Sequence, residues 1–319
     1  MIEDLVGSLS KETGMGLSDV RRVLWTAPRR YKIYEIDKRS GGKREIAHPA
    51  RELKVLQRAF LKLALEGLPV HGAATAYRKG HSLRDNAAPH AGAGVILKMD
   101  FHNFFPSIRG KDWTSYCSSH NIFLRQDDVD LSANLLFRKP IGASGLRLSI
   151  GAPTSPVISN LLLFDFDKIV WEAAAEQFVT YTRYADDMTF SAPRAGYLIG
   201  IQSMVAKTVR EMRFPKLEIN GEKTKVVTPR YHRDVTGLTL SNDGRVTIGQ
   251  LRKRNIRAGV HNAFKGELSE KEIAKLAGHI AFAFSVEPDF IDHLKARHGG
   301  PIVDRIMKSM SEGTTKKGK

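Results

Sequence analysis

Between residues 51 and 66 the apolar positions Leu53, Leu56, Phe60 and Leu63 recur at helical spacing, with Glu52, Lys54 and Arg58 elsewhere on the surface. The pattern predicts an amphipathic helix that Gly67 and Pro69 end. Just upstream the period drops to two. Residues 31–36 alternate like a strand, 38–43 form a basic turn containing Gly41 and Gly42, and 44–46 return, which predicts a hairpin. Residues 95–99 read as a short buried strand running directly into Asp100. A long helix is expected from Pro156 to about Ala175, with proline near its start where it is tolerated. Residues 178–190, rich in aromatic and β-branched side chains, predict a second hairpin whose turn, Ala185-Asp186-Asp187, is acidic. Short strands are expected at 217–220, 225–228, 235–240 and 246–248, then helices near 249–264, 269–284, 287–297 and 301–310. The tail from Lys308 to Lys319 is expected to be disordered. Strands and helices therefore mix up to about residue 248, and a helical appendage follows.

Composition changes this picture in one respect. The 319 residues are 42% hydrophobic, enough for a sizeable core, but 50 Lys and Arg face 34 Asp and Glu, a net charge of +16. Such an excess points to an anionic partner, nucleic acid before membrane surface. It is concentrated: residues 21–58 hold twelve basic side chains against four acidic ones, and 245–265 hold six with no acid. Two separated windows of one sign suit two walls of a phosphate-lined cleft better than two merely solvated faces. The single cysteine, Cys117, excludes an internal disulfide framework and a cysteine-based zinc site. An acidic N-terminus with no apolar run behind it, and no uninterrupted apolar stretch near ~18 residues, lead to the expectation of a cytoplasmic protein without membrane contact. His71, His81 and His90 have no zinc-cluster spacing and read as ordinary hydrogen-bonding residues. Gly92-Ala93-Gly94 reads as a turn, and Trp25, Trp113 and Trp171 as core anchors.

The candidate chemistry is acidic. Asp100 at a strand end and Asp186-Asp187 in a hairpin turn are the carboxylates that a phosphoryl-transfer site with two metal ions needs, since Mg²⁺ prefers oxygen ligands and keeps few protein carboxylates. Asp127-Asp128 is an internal control. The same dipeptide lies there in a polar helical stretch and reads as solvated surface, whereas Asp186-Asp187 has apolar flanks beside which unpaired charge is expensive.

These residues resemble a family. Tyr184-Ala185-Asp186-Asp187 matches the YxDD signature of reverse transcriptases, and Asp100 with Phe101-His102-Asn103-Phe104-Phe105-Pro106-Ser107 resembles their first catalytic motif. Gly151-Ala152-Pro153-Thr154-Ser155-Pro156 with Asn160-Leu161 resembles the template- and nucleotide-positioning loop and its helix, and Leu217-Glu218-Ile219-Asn220 with Lys223-Thr224 the next motif. Order and spacing match over roughly residues 30–240. Asn86-Ala87-Ala88-Pro89-His90 and Val235-Thr236-Gly237 resemble the NAxxH and VTG segments of retron reverse transcriptases.

The resemblance implies an α+β right-hand polymerase with fingers, a palm of split βαβ (ferredoxin-like) type and a helical thumb. The implied boundaries are an N-terminal helical segment over 1–30, fingers and palm over 31–240, and a basic thumb with its tail over 241–319. Asp100, Asp186 and Asp187 become ligands of two Mg²⁺ ions, for which Mn²⁺ substitutes, and Lys223 takes the place of a proton donor to pyrophosphate. Its alternative reading is a surface lysine after a turn. Arg44, with Lys38 or Lys43, would meet the triphosphate of an incoming dNTP. Phe105 matches the aromatic gate that rejects a ribose 2′-OH. Ile150 with Gly151 stands where the family's loop carries Gln-Gly, leaving Ile150 only packing to offer. Asn86, His90, Val235, Thr236, Gly237, Arg252, Lys253 and Arg254 are implied RNA-binding positions. The implied function is reverse transcription of part of a structured noncoding RNA from a guanosine 2′-OH into branched RNA–DNA, in phage defence beside a separate effector protein. A group II intron or diversity-generating reverse transcriptase is the alternative enzyme, and a non-catalytic RNA-binding scaffold is the alternative of another class.

Overall fold

The computed structural model describes residues 2–38 and 41–315, with side chains up to residue 308; Arg39 and Ser40 of the basic turn and residues 316–319 lie outside the described residues. Among the described residues, nine strands make three sheets. β1 (Tyr31–Asp37) and β2 (Lys43–Pro49) form an antiparallel hairpin in which Ile36 faces Arg44 and Ile33 faces Ala47. β3 (Val95–Asp100), β4 (Thr180–Tyr184), β5 (Asp187–Ala192) and β6 (Lys225–Val227) form a sheet of order β4-β5-β3-β6. β7 (Asp234–Val235), β8 (Leu238–Leu240) and β9 (Val246–Thr247) form an antiparallel three-stranded sheet. Burial explains the strand choice: Val95, Ile96, Leu97 and Met99 are all buried, as are Met188 to Ala192.

The chain divides into two compact units, each assembled from separate stretches: 1–77, 97–190 and 196–225 in the first, 78–96, 191–195 and 226–319 in the second. The first unit has a core of fully buried aromatic and leucine side chains, with Phe60 edge-on to Trp113 and stacked on Phe123 at centroid distances of 6.3 and 6.2 Å. In the second, Ala87, Ala91 and Ile96 share one apolar cluster with Val235, Leu238, Leu240 and the helices Gln250–Phe264, Glu270–Val286, Pro288–His298 and Gly300–Thr315.

Several expectations change. The helix from residue 51 is regular only over Arg51–Phe60 and closes with a wide π-turn over Leu61–Leu65. The long helix near 156–175 is two helices, Ser155–Leu162 and Phe164–Glu176, because Leu163 leaves the helical basin at φ −101°, ψ 10°. Residues 217–220 contribute only a bridge, Ile219 opposite Phe101. The strand over 235–240 is a hairpin instead, turned by Thr236 (φ 48°) and Gly237 (φ 78°). The tail is helical as far as Thr315, since Val303 and Ile306 bury their side chains in the second unit's core. Asp128 is not solvated: its buried carboxylate takes the Arg125 guanidinium at 3.0 Å. Trp113 is a core anchor, but Trp25 and Trp171 are 77% and 48% exposed. No helix among the described residues is long and apolar enough to cross a membrane.

Candidate active site

Strand β3 delivers Asp100 buried at its end, and the β4–β5 turn delivers Asp186 and Asp187 beside it. The Phe101 amide donates to the Asp186 carbonyl at 3.3 Å, and the Asn220 amide donates to the Asp100 carbonyl at 2.8 Å. Ala185 makes the turn in the left-handed region at φ 58°, a conformation that favours glycine and costs an alanine of order 1 kcal/mol. What holds it there is buried. Arg183, wholly inside, donates from Nη1 to the Ala185 carbonyl at 2.8 Å and to Asn160 Oδ1 at 3.3 Å, while Nε and Nη2 reach Asp167 at 2.8 and 2.5 Å. Tyr181 donates its hydroxyl to the same carboxylate at 2.9 Å. Asn160 also donates to the Ala76 carbonyl at 2.9 Å, tying the 73–77 loop to this network. Asp167, Arg183 and Tyr181 escaped the sequence reading; Asp167 lies between Asp165 and Lys168 like a surface charge, and only Arg183, alone among aromatic and β-branched residues, carried a signal.

The three carboxylates crowd one another. Burial first, and then the charge of Asp100, push the Asp186 carboxyl above its usual range. Asp187 sits at the exposed end of the turn, yet burial of its carboxyl, the Asp186 charge and a hydrogen bond with Asp100 push it up to about 7. Lys223 Nζ meets both Asp100 oxygens at 3.0 Å; burial draws its pKa down, but the Asp100 hydrogen bond and charge outweigh that and the net shift is upward. Crowded hard-oxygen donors that raise one another's pKa fit a divalent cation. Among the described residues, though, no three acidic, histidine or cysteine side chains are already arranged around a common point as metal ligands.

The residues implied to bind the nucleotide come from the β1–β2 hairpin, the 148–153 loop and the segment after Asp100. Arg44, on β2, is close enough for its charge to act on Asp186 and on Tyr77. Lys43 is engaged with Glu35 at 2.9 Å, and the Lys38 amide closes the hairpin turn on the Gly42 carbonyl. The Ile150 carbonyl accepts from the Ala47 amide at 2.9 Å, so the 148–153 loop is sewn to β2. Gly151 (φ 119°) is required there, because a Cβ would lie 3.1 Å from the Ala47 carbonyl oxygen. Phe105 is half-buried, 5.2 Å from Phe104 and 6.5 Å from Tyr77 between ring centroids. Tyr77 was not singled out in the sequence. Burial, Asp186 and Tyr184 push its phenol up to about 12, so it stays protonated.

In the second unit the implied RNA-binding residues differ in exposure. Asn86, His90 and Val235 are buried and offer RNA no side-chain surface; His90 Nδ1 meets Ser191 Oγ at 2.6 Å inside. Arg252 donates to the Gly237 carbonyl at 2.6 Å and lies over the Phe282 ring. Lys253 is bound to Glu287 at 2.5 Å. Arg252 and Arg254 are exposed, and among the described residues neither makes an ion pair; Arg254 alone of the three has no contact that engages its guanidinium. The Thr236-Gly237 turn presents Gly237 outward, and Thr236 Oγ1 is buried with no hydrogen-bond partner among the described residues. Within this unit a cavity of about 1250 Å³ is lined by Arg84, Arg245, Lys253, Arg257, His293 and Arg297, with Glu287 and Asp289 among them, so that positive charge is in excess.

A sheet that brings an aspartate-ended strand beside an Asp-Asp hairpin turn is the arrangement of a polymerase palm, and the family match agrees with it. Residues 36–240 match the family model for reverse transcriptases, the RNA-dependent DNA polymerases. The chain belongs to that family, and within it to the retron reverse transcriptases. It is 34% identical over 285 residues to the retron Ec83 reverse transcriptase of Escherichia coli, covering 89% of this chain and 91% of that protein. It is 32% identical to the retron Ec86 reverse transcriptase of the same organism, covering 88% and 83%. Among solved structures, a telomerase from Candida albicans in complex with a fragment of telomeric RNA is similar at a TM-score of 0.48 and 12% identity, covering 90% of this chain and 58% of that one.

Proposed function

We propose that this chain copies part of a structured noncoding RNA into DNA, starting from a guanosine 2′-OH of that RNA, and so makes a branched RNA–DNA molecule that serves in phage defence beside a separate effector protein. The observation that carries the polymerase reading is the convergence of Asp100, Asp186 and Asp187, their charges only partly offset by Lys223. These three aspartates would hold two Mg²⁺ or Mn²⁺ ions, which when bound supply Lewis-acid stabilisation of the attacking and leaving oxygens. The protein's own part is positioning. Arg44 meets the triphosphate, Phe105 packs under the sugar, and the loop at Ile150 and Gly151 closes the floor by packing alone. Lys223, with its raised pKa, keeps a proton available where pyrophosphate departs. In the second unit, the basic cavity and Arg254 attract RNA phosphates, while the Thr236-Gly237 turn supplies a shaped contact. The segment over 241–319 acts as the thumb. Identity to retron reverse transcriptases over most of the chain supports a noncoding RNA as the natural template. Sequencing the nucleic acid that co-purifies with the protein tests this: one RNA joined through a 2′ branch to DNA is the expected product, and random cellular RNA without DNA would reject it.

A further inference from the structure

Tyr77 occupies a position that an aromatic residue rarely takes. Its φ is 62°, in the left-handed region, where a bulky side chain is strained and glycine is the usual occupant. The segment before it cannot relax to relieve that strain. The Arg183 amide donates to the Ala73 carbonyl at 2.7 Å, the Thr75 amide donates to the Arg183 carbonyl at 2.9 Å, and Asn160 holds the Ala76 carbonyl. The chain is thus fixed to β4 up to Ala76, and Tyr77 turns its ring toward the catalytic residues. The ring lies 6.5 Å from Phe105, inclined at 59°, and 6.3 Å from Tyr184, inclined at 37°. Both distances fall within the contact range of aromatic pairs. Yet 47% of Tyr77 remains exposed, so hydrophobic burial alone does not account for an aromatic residue here. Phe105 itself is only half-buried, with Phe104 and Tyr77 as its ring neighbours.

We propose that Tyr77 is a positioning residue for sugar discrimination: its ring braces Phe105, so that Phe105 cannot swing away from a ribose 2′-OH. The inference rests on the reading of Phe105 as the gate and extends it to a second residue. A gate that excludes by overlap works only if the ring cannot yield. The network of Arg183 and Asn160 gives Tyr77 a rigid backbone from which to resist.

The test compares incorporation of dCTP and CTP on one primed template by full-length wild type, Tyr77→Phe, Tyr77→Ala, Tyr77→Gly, Phe105→Val and the Tyr77→Ala/Phe105→Val pair. Tyr77→Phe keeps the ring and should keep the discrimination. Tyr77→Ala should lower the dCTP/CTP ratio of kcat/KM about tenfold, mainly through a lower KM for CTP, as expected from losing one aromatic pair. Tyr77→Gly relieves the positive φ, so it should fold at least as stably as wild type and lose discrimination equally, which guards against a folding defect in the alanine variant. In the double variant the ratio should fall no further than in Phe105→Val alone. Equal loss of dCTP and CTP use in Tyr77→Ala and Tyr77→Gly would overturn the proposal. If Phe105→Val relaxes selectivity and neither Tyr77 variant does, the brace is wrong and the gate stands. If Phe105→Val itself keeps full selectivity, both readings fall.

Discussion

The guanidinium of Arg183, with no exposed surface, donates to the carbonyl oxygen of Ala185 at 2.8 Å and so holds from beneath the strained turn that carries Asp186 and Asp187. The Asp-Asp turn therefore depends on an ion pair in the core. Asp167→Asn leaves the buried guanidinium without its counter-charge and should destabilise the protein by about 3–5 kcal/mol. Urea denaturation checks it, and incorporation should fall in protein that remains folded. Arg183→Lys keeps the charge but loses the fork that spans Asp167, Asn160 and Ala185, and is expected to fail similarly.

Asp187→Asn removes a charge at nearly constant volume. DNA synthesis should drop by about 10²-fold or more, with thermal stability and RNA binding retained. Asp127→Asn, outside the site, should change incorporation little. Near-normal extension by Asp187→Asn would exclude the assigned ligand role.

The raised pKa of Asp187, about 7 and set by burial, Asp186 and Asp100, gives this site a pH signature. Below that value the carboxyl holds a proton that a cation must displace. Mg²⁺ affinity should therefore rise between pH 6 and 8, with about one proton released per binding event near pH 6. Calorimetry in buffers of different ionisation enthalpy measures the release, which should vanish in Asp187→Asn.

His90 gives a signature of the opposite origin. Burial pulls its pKa down to about 3, against 6.5 in the unfolded chain. As pH falls below 6.5 the unfolded state takes up a proton that the folded state refuses, so stability present above 6.5 is lost progressively toward pH 3. The loss at pH 5 should be about 2 kcal/mol. His90→Gln should be less stable at pH 7.5 and show a shallower decline on acidification.

Arg252 and Arg254, two residues apart, should separate cleanly. Arg254→Ala should weaken binding to cognate and scrambled stem-loops alike and reduce the salt slope by up to ~0.7–0.9, with no change in melting. Arg252→Ala frees the Gly237 carbonyl and the Phe282 ring, so it should lower the melting temperature and weaken mainly cognate RNA.

Much of this site is legible in the sequence because its motifs are local. Asp100 ends an apolar run, and Asp186-Asp187 sits in a turn between β-rich segments; chain neighbours alone identify both. What escapes is what depends on distant partners. Asp167, between Asp165 and Lys168, looks like an ordinary surface charge until the break at Leu163 allows two helices and the sheet to bury it with Arg183. Basic residues show the converse error. Arg252 and Lys253 sit in an acid-free window, yet their partners, the Gly237 carbonyl and Glu287, come from elsewhere in the chain. Charge density in sequence counts charges and says nothing about which are already spent.

The second unit's segmentation has a consequence during synthesis. Ala87, Ala91 and Ile96 leave the ribosome long before Val235, Ile256, Ile280 and Val303, the residues that cover them. At translation rates of ~5–20 residues per second the delay is roughly 7–40 seconds. Throughout that interval the apolar side chains Ala87, Ala91 and Ile96, set in an otherwise largely polar segment, travel without their core, available to chaperones and to other nascent chains. A message truncated before codon 226 yields a product in which this exposure is permanent.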